Sequence, residues 1–553
     1  MLLCGLLLGR LLAQAQAPSW QLATIAGQVS NGSQTIVASA ADASGNVYLV
    51  GNFTGTLRFG PISVTGASGF DDVFVAKWSS ATSSFVWVQR MGGIDIDRAT
   101  AVAVSGGNVY VAGVFGSGTA TFGAVTLTNL AGATTGTSFD GFVAKLTDAG
   151  STSSFAWAQQ LGSNDFDYCQ SLAVSNSNVY VAGWFGGTTA KFGTYQLTNA
   201  STNIAGRNDA FVAKLTDAGS TSSVAWVQQI GAENDEFGLA VTAQGASVYV
   251  AGSFNSPTLS LGSTTLANAS GASFFADGFV VKLTDAGSTS RLAWAQRVGG
   301  TGADYIEKAV VSGSSLYLAG RFASPTISFG SITLANAGLA NADDWFMAKI
   351  TDGGNSNSFA WAQKPGQAVS ALAASSPAVY VASDTGGPLL TQYTDAGTSA
   401  ALAWTQRATA GYAGASALAL SGSTIYLFGY AGLPVTFGTH TLTSATGSSS
   451  EAFLAALGSS PLAATQATQL VGSSLSPNPA HTTATVRLPV LAGSAPATLF
   501  LTNALGQVMR WQPIALLPTG TTVEVSVLGL VPGVYQLRVQ AEGQVATHKL
   551  VVE

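Results

Sequence analysis

Of 553 residues, 47% are hydrophobic and only 9% are charged, with a formal net charge of −6. A chain of this size and make-up can bury a large core, which excludes intrinsic disorder, and it has no basic field to hold a phosphate backbone, which excludes nucleic acid as a partner. The abundant Gly, Ser, Thr, Ala and Asn suit strands joined by tight turns, so the chain reads as all-β.

The first residues, "MLLCGLLLGRLLAQAQAPSW", form an apolar run interrupted by Arg10 and followed by small residues, with cleavage expected after Ala15 or Ala17. Residues 1–17 therefore read as a removable export signal. No later stretch approaches the roughly 20 uninterrupted apolar residues of a membrane span, so no transmembrane segment is expected. Cys4 leaves with the signal and Cys169 then stands alone, so no internal disulfide is expected and Cys169 reads as a small buried hydrophobe.

From there to residue 458 the chain repeats itself. A Val-Tyr strand recurs with its tyrosine at Tyr48, Tyr110, Tyr180, Tyr249, Tyr317, Tyr380 and Tyr426, at a step of about 45 to 70 residues. A short alternating strand precedes each copy, as in "AVAVSGG" from Ala101. A third strand follows, as in "DGFVAKL" at Asp140–Leu146, and after a "TDAGSTSS" turn comes a fourth, "FAWAQQLG" at Phe155–Gly162. Four antiparallel strands per repeat are the unit of a β-propeller blade, whose sheet buries both faces only when neighbours stack on it.

The last copy ends at "EAFLAALG" (Glu451–Gly458) without a fourth strand, whereas the chain begins with an orphan "SWQLATIAG" at Ser19–Gly27. Trp20 aligns with Trp87, Trp157, Trp226, Trp294, Trp361 and Trp404, which predicts that the N-terminal strand completes the last blade and leaves no open edge. Residues 18–458 thus read as a seven-bladed β-propeller. Segments such as "RFGPISV" and "TFGAVTL" place Gly and one further residue between two β-prone runs, the mark of a two-residue hairpin turn. Six inserted hairpins are expected, with the sixth blade bare because "VYVASDTGG" runs straight into "PLLTQYTDAG". Residues 459–472 read as a linker, and residues 473–553 as a small Ig-like β-sandwich of alternating strands.

Two resemblances follow from these motifs. The unit "NDEFGLAVTAQGASVYVAGSF…DGFVVKLTDAGSTSRLAWAQRVGG" resembles the bacterial propeller repeat labelled SBBP, which implies no single activity. The tail resembles the type A C-terminal sorting domain of the type IX secretion system, through "SPNP" at Ser476–Pro479, "NALGQV" at Asn503–Val508, "PGVYQLRV" at Pro532–Val539 and the terminal "HKLVVE". Asn503 stands where that family commonly has Asp. The resemblance implies that the tail engages the type IX secretion machinery and directs a folded cargo across the outer membrane, after which the tail is usually cleaved. The protein is then expected to be secreted or held on the outer cell surface.

Chemistry is sparse. Only His440, His481 and His548 are present, the latter two in the tail, which leaves the repeats without the residues for a His-based metal or nucleophile site. The acidic residues are patterned. Asp97, Asp167, Glu236 and Asp304 precede their tyrosines by one interval, and Asp72, Asp140, Asp209, Asp277, Asp344 and Glu451 precede the third-strand lysine or its equivalent by another. Strand parity puts both sets on one face of the ring, the face that carries the hairpins, and the Asp148-type turns on the other. The sets admit two readings. They accept backbone N–H groups at turns or pair with Lys77, Lys145, Lys214, Lys282 or Lys349, or they form a ligand face for Ca²⁺, carbohydrate or a cationic partner. The functional expectation is a noncatalytic binding or adhesion protein for a glycan or a surface protein. The alternatives are a propeller polysaccharide lyase or glycosidase, and a purely architectural surface protein.

Overall fold

The computed structural model describes residues 17–132, 138–201, 207–271, 275–338, 342–409, 412–443, 451–458, 468–469, 472–489, 497–503, 508–515, 517, 519–541 and 544–553. The expected export signal at 1–17 lies outside them except for Ala17. The chain divides into two compact units, Met1–Gly458 and Ser459–Glu553.

The first unit is all-β and is built of repeated four-strand sheets that resemble propeller blades. Each is an antiparallel meander, for example Asp97–Ser105, Asn108–Phe115, Asp140–Asp148 and Ser153–Gly162. This is the second sheet. The first, third, fourth, fifth and sixth span 34–91, 167–230, 236–299, 304–363 and 371–407. In the seventh, Ala413–Ser421, Thr424–Ala431 and Glu451–Gly458 are joined by Ser19–Ser30 from the start of the chain, with Trp20 opposite Leu457 and Ile25 opposite Phe453. The first strands of successive sheets pack side by side, and that of the first sheet packs against that of the seventh. Apolar side chains are shared at this junction, with Leu49 and Phe74 clustered with Phe428 and Leu454.

Each second strand reads as a continuous apolar run because neighbouring sheets cover both its faces. In "NVYVAGVF" every residue after Asn108 is buried. The glycine of that motif answers a bulge in the first strand, where one extra residue pushes a carbonyl toward the second. A Cβ at Gly183 would lie 1.7 Å from the Tyr168 carbonyl oxygen. The sixth sheet supplies the control, since Ser383 replaces the glycine and its first two strands pair without a bulge.

Six two-stranded hairpins follow second strands, and the sixth sheet carries none among the described residues. Their turns are the expected Gly-plus-one type, with Gly60 and Gly123 at φ of 61° and 62°. Several hairpins dock on the outer strand of the preceding sheet. Thr56–Phe59 pairs with Ser19–Ser30, Thr189–Phe192 with Ser153–Gly162, and Thr326–Phe329 with Ser290–Gly299. They cover edges that would otherwise present unpaired backbone groups.

The second unit has two sheets that share one core of Val486, Leu499, Leu501, Val525, Leu537 and Leu550. Asn478 of the "SPNP" motif donates to the Lys549 carbonyl at 2.6 Å and accepts from the Val551 amide at 2.8 Å, fastening the motif to the last strand. The expected linker needs correction at its end. Thr468–Gln469 pairs in parallel with Gln544–Val545 and so belongs to the tail sheet, a two-residue strand too short to show any alternation. Of the "NALGQV" turn, residues 504–507 lie outside the described residues.

Candidate functional site

The "TDAGSTSS" turn between third and fourth strands proves to be the main polar joint between sheets. Asp148 in the second sheet reaches the first. There it accepts from Tyr48 Oη at 2.8 Å, Lys77 Nζ at 2.5 Å and Trp87 Nε1 at 2.9 Å, while its own Gly150 amide donates at 3.0 Å. The arrangement recurs at Asp217, Asp285, Asp352 and Asp395, each gripping the Tyr, Lys and Trp of the sheet before it. Burial pushes these carboxyls up, but the Lys, Tyr and Trp donors outweigh it and hold them below the ordinary range. The lysines therefore pair with this set of aspartates, which corrects the reading in which they pair with the patterned acids. A lysine pointing along the third strand reaches the far end of the next sheet, a step that intra-repeat spacing could not reveal.

Five joints carry the clamp. The lysine position holds Gln392 in the sixth sheet and Ala456 in the seventh. Tyr426 there donates only to the Gly45 carbonyl at 3.2 Å, and the Trp20 indole N–H has no partner among the described residues.

The patterned acids lie at the opposite end of the strands, near the hairpins. Asp72, Asp97, Asp140, Asp167, Asp209, Glu236, Asp277, Asp304 and Glu451 are at most 2% exposed. They are thus walled into the joints and do not form an open acidic surface. Asp344 differs in being partly exposed; it pairs with Lys364 at 3.1 Å, as Asp72 does with Arg90 and Asp277 with Arg297, both at 2.8 Å. Across each of four joints an acid from one sheet faces an acid from the next: Asp72 and Asp97, Asp140 and Asp167, Asp209 and Glu236, Asp277 and Asp304. Backbone and hydroxyl donors surround them. Asp97 accepts from the Gly93 amide at 2.6 Å and Ser117 Oγ at 2.8 Å, and Asp304 from the Gly300 amide at 2.7 Å and Ser324 Oγ at 2.6 Å.

Burial outweighs these donors and the neighbouring acid adds to it. Asp97 and Asp304 are raised to about 6 and Glu236 to about 8, while Asp140 and Asp209 are raised to about 6. The Oδ1 atoms of Asp140, Asp209 and Asp277 have no hydrogen-bond partner among the described residues. Each pair offers two carboxyl groups, and among the described residues no cluster of three or more metal-ligating side chains is brought together. Burial and the facing acid favour a proton held by the pair, while the N–H donors occupy carboxyl lone pairs that a cation would need.

A cavity of about 470 Å³ is lined by residues from the first strands of all seven sheets, including Ala38, Ala101, Ser171, Ala240, Lys308, Ala371 and Ala417. These seven residues occupy one register position, two places along the pairing from each repeat tyrosine. Six are small and one is a lysine. On the same wall Phe237, Tyr305 and Arg321 line the cavity. The Trp184 ring meets Phe237 edge-on at 5.2 Å and stacks on Tyr168 at 4.7 Å, and the Arg321 guanidinium lies 4.4 Å from the Tyr305 ring centre. Sequence reasoning missed this site. Its signal was present as the break in repeat symmetry at Lys308, where the other six copies place Ala or Ser.

Among the described residues no helix is long and apolar enough to cross a membrane. No curated protein sequence matches the chain. Among solved structures, Trypanosoma rangeli sialidase is similar at a TM-score of 0.33 and 9% identity, covering 85% of this chain and 86% of that one. Saccharomyces cerevisiae Sqt1 is similar at 0.33 and 8%, covering 85% and 96%. A putative 6-phosphogluconolactonase from Bacteroides uniformis is similar at 0.29 and 8%, covering 68% and 99%. Residues 474–553 match the family described as the secretion system C-terminal sorting domain. With that tail the protein is a cargo of the type IX secretion system, secreted or displayed at the cell surface, and the tail is the part that engages the export machinery.

Proposed function

We propose that residues 18–458 form a closed seven-bladed β-propeller of the SBBP-like kind, completed by its N-terminal strand and followed by an Ig-like sorting domain. Its role is that of a noncatalytic binding or adhesion module outside the cell. The observation that carries this reading is the cavity on the ring axis, to which all seven first strands contribute and which aromatic and cationic side chains line on the fourth and fifth blades only, among the described residues. Repetition explains a uniform wall; a single elaborated sector is what a ligand site adds. Its volume falls within the ~300–1,000 Å³ of ordinary small-molecule sites.

The lyase or glycosidase alternative needs two carboxyl groups that substrate can reach, roughly 5 to 9.5 Å apart. The patterned acids, Asp344 excepted, are buried between sheets, which favours their reading as turn and joint acids over a ligand face. A glycan array combined with a polysaccharide hydrolysis screen on the secreted protein tests the proposal. Retention of particular glycans without cleavage, weakened by Phe237→Ala, is the expected result. Turnover of a polysaccharide, or no retention of any glycan or surface protein, contradicts it.

A further inference from the structure

Lys308 is the one long side chain in a ring of alanines and a serine. Its neighbour Glu307 is tied to Arg321 at 2.8 Å, and Arg321 is also held by Asp343 at 2.8 Å. Lys308 itself makes no hydrogen bond or ion pair among the described residues. Burial lowers its affinity for a proton and Glu307 offsets this only in part. Half-buried on the cavity wall and without a protein partner among the described residues, its ammonium is left to whatever occupies the cavity.

Two further features describe the occupant. Phe237 and Tyr305 line the same space, and both are held in place, one by the Trp184 and Tyr168 stack and the other by the Arg321 guanidinium. Aromatic faces suit the C–H face of a pyranose, whereas an unpaired ammonium suits an anion. Resting on the reading of the axial cavity as the binding site, we propose that this cavity binds a sugar acid, its carboxylate on Lys308 and its ring against Phe237 and Tyr305.

Titration calorimetry on the full secreted protein at neutral pH and low salt, with D-glucuronate, D-glucose, acetate and sulfate as probes, tests the assignment. Glucuronate should bind at least tenfold more tightly than the other three. Lys308→Met should lose that advantage, leave weak glucose binding unchanged, and melt no lower than the wild type without ligand. Equal affinity for glucose and glucuronate overturns the assignment, as does acetate or sulfate matching glucuronate, or full affinity in Lys308→Met. A lower melting temperature of the unliganded variant would mark a structural lysine and also overturn it. If glucuronate gives no heat while the array still shows Phe237-dependent retention of neutral glycans, only the sugar-acid assignment falls. If neither probe set binds, the binding function falls with it.

Discussion

At the residue scale the two sets of aspartates are driven in opposite directions, and stability should follow both. The joint acids such as Asp97, Asp140 and Glu236 hold their protons more tightly folded than unfolded, because burial disfavours their charge. Their contribution is therefore full below the ordinary carboxylate range, near 4, and is lost as pH rises through about 6, or about 8 for Glu236. The clamp aspartates are held low, so their contribution is present above about 4 and is lost on further acidification. Thermal stability should peak near pH 4 and fall from there toward pH 8, as calorimetry across that range would show; a flat or rising profile would contradict this.

Asp140→Asn should flatten the fall, because an amide at the orphaned Oδ1 position removes a buried charge and can donate to Asp167. A gain of about 1 kcal/mol at pH 8 is expected in denaturant titration, and a loss there would refute the shared-proton reading. Asp217→Ala strands Lys145 in a buried site and should cost about 3–5 kcal/mol, with part regained in the double variant Lys145→Met, Asp217→Ala.

At the scale of the element, the bulge in the first strand of every sheet but the sixth and the glycine opposite it form one device. Gly183→Ala places a methyl group on the Tyr168 carbonyl and should cost more than about 2 kcal/mol, whereas Ser383→Gly in the unbulged sixth sheet should cost no more than about 1. Comparable losses at both positions would contradict the pairing of bulge and glycine. Strand order, hairpins and the bare sixth sheet were legible in the sequence because each rests on local signals: the Val-Tyr run, the Gly-plus-one turn and the "TDAG" turn. The clamp was not, because its partners sit 34 to 107 residues apart and face across a joint. Lys308 was hidden for the opposite reason: a search for repetition looks past the copy that departs from it.

At the scale of the whole molecule the joints are unequal. Five carry the clamp, while those on either side of the seventh sheet rely on apolar packing and a few hydroxyl-to-carbonyl bonds, such as Ser416 Oγ to the Ile36 carbonyl at 2.7 Å. Local opening should begin there, so amides of Ala413–Ala431 and Ser19–Ser30 should exchange hydrogen before those of the third sheet. Uniform exchange around the ring would contradict this. Removal of residues 473–553 should leave a folded first unit retained in the periplasm, and normal release of that truncated chain would refute the assignment of export to the tail.

The proposed ring depends on the first strand of the chain closing the last sheet, and one cross-link reports on it directly. Ala23 and Ala455 are opposite each other in that pairing. The double variant Ala23→Cys, Ala455→Cys should form an intramolecular disulfide on mild oxidation and melt above its reduced form, since neighbouring cross-strand positions lie within reach of the bond and closing so long a loop constrains the unfolded chain. Peptide mapping that found both thiols free in folded, oxidised protein, or linked only between molecules, would contradict closure of the ring.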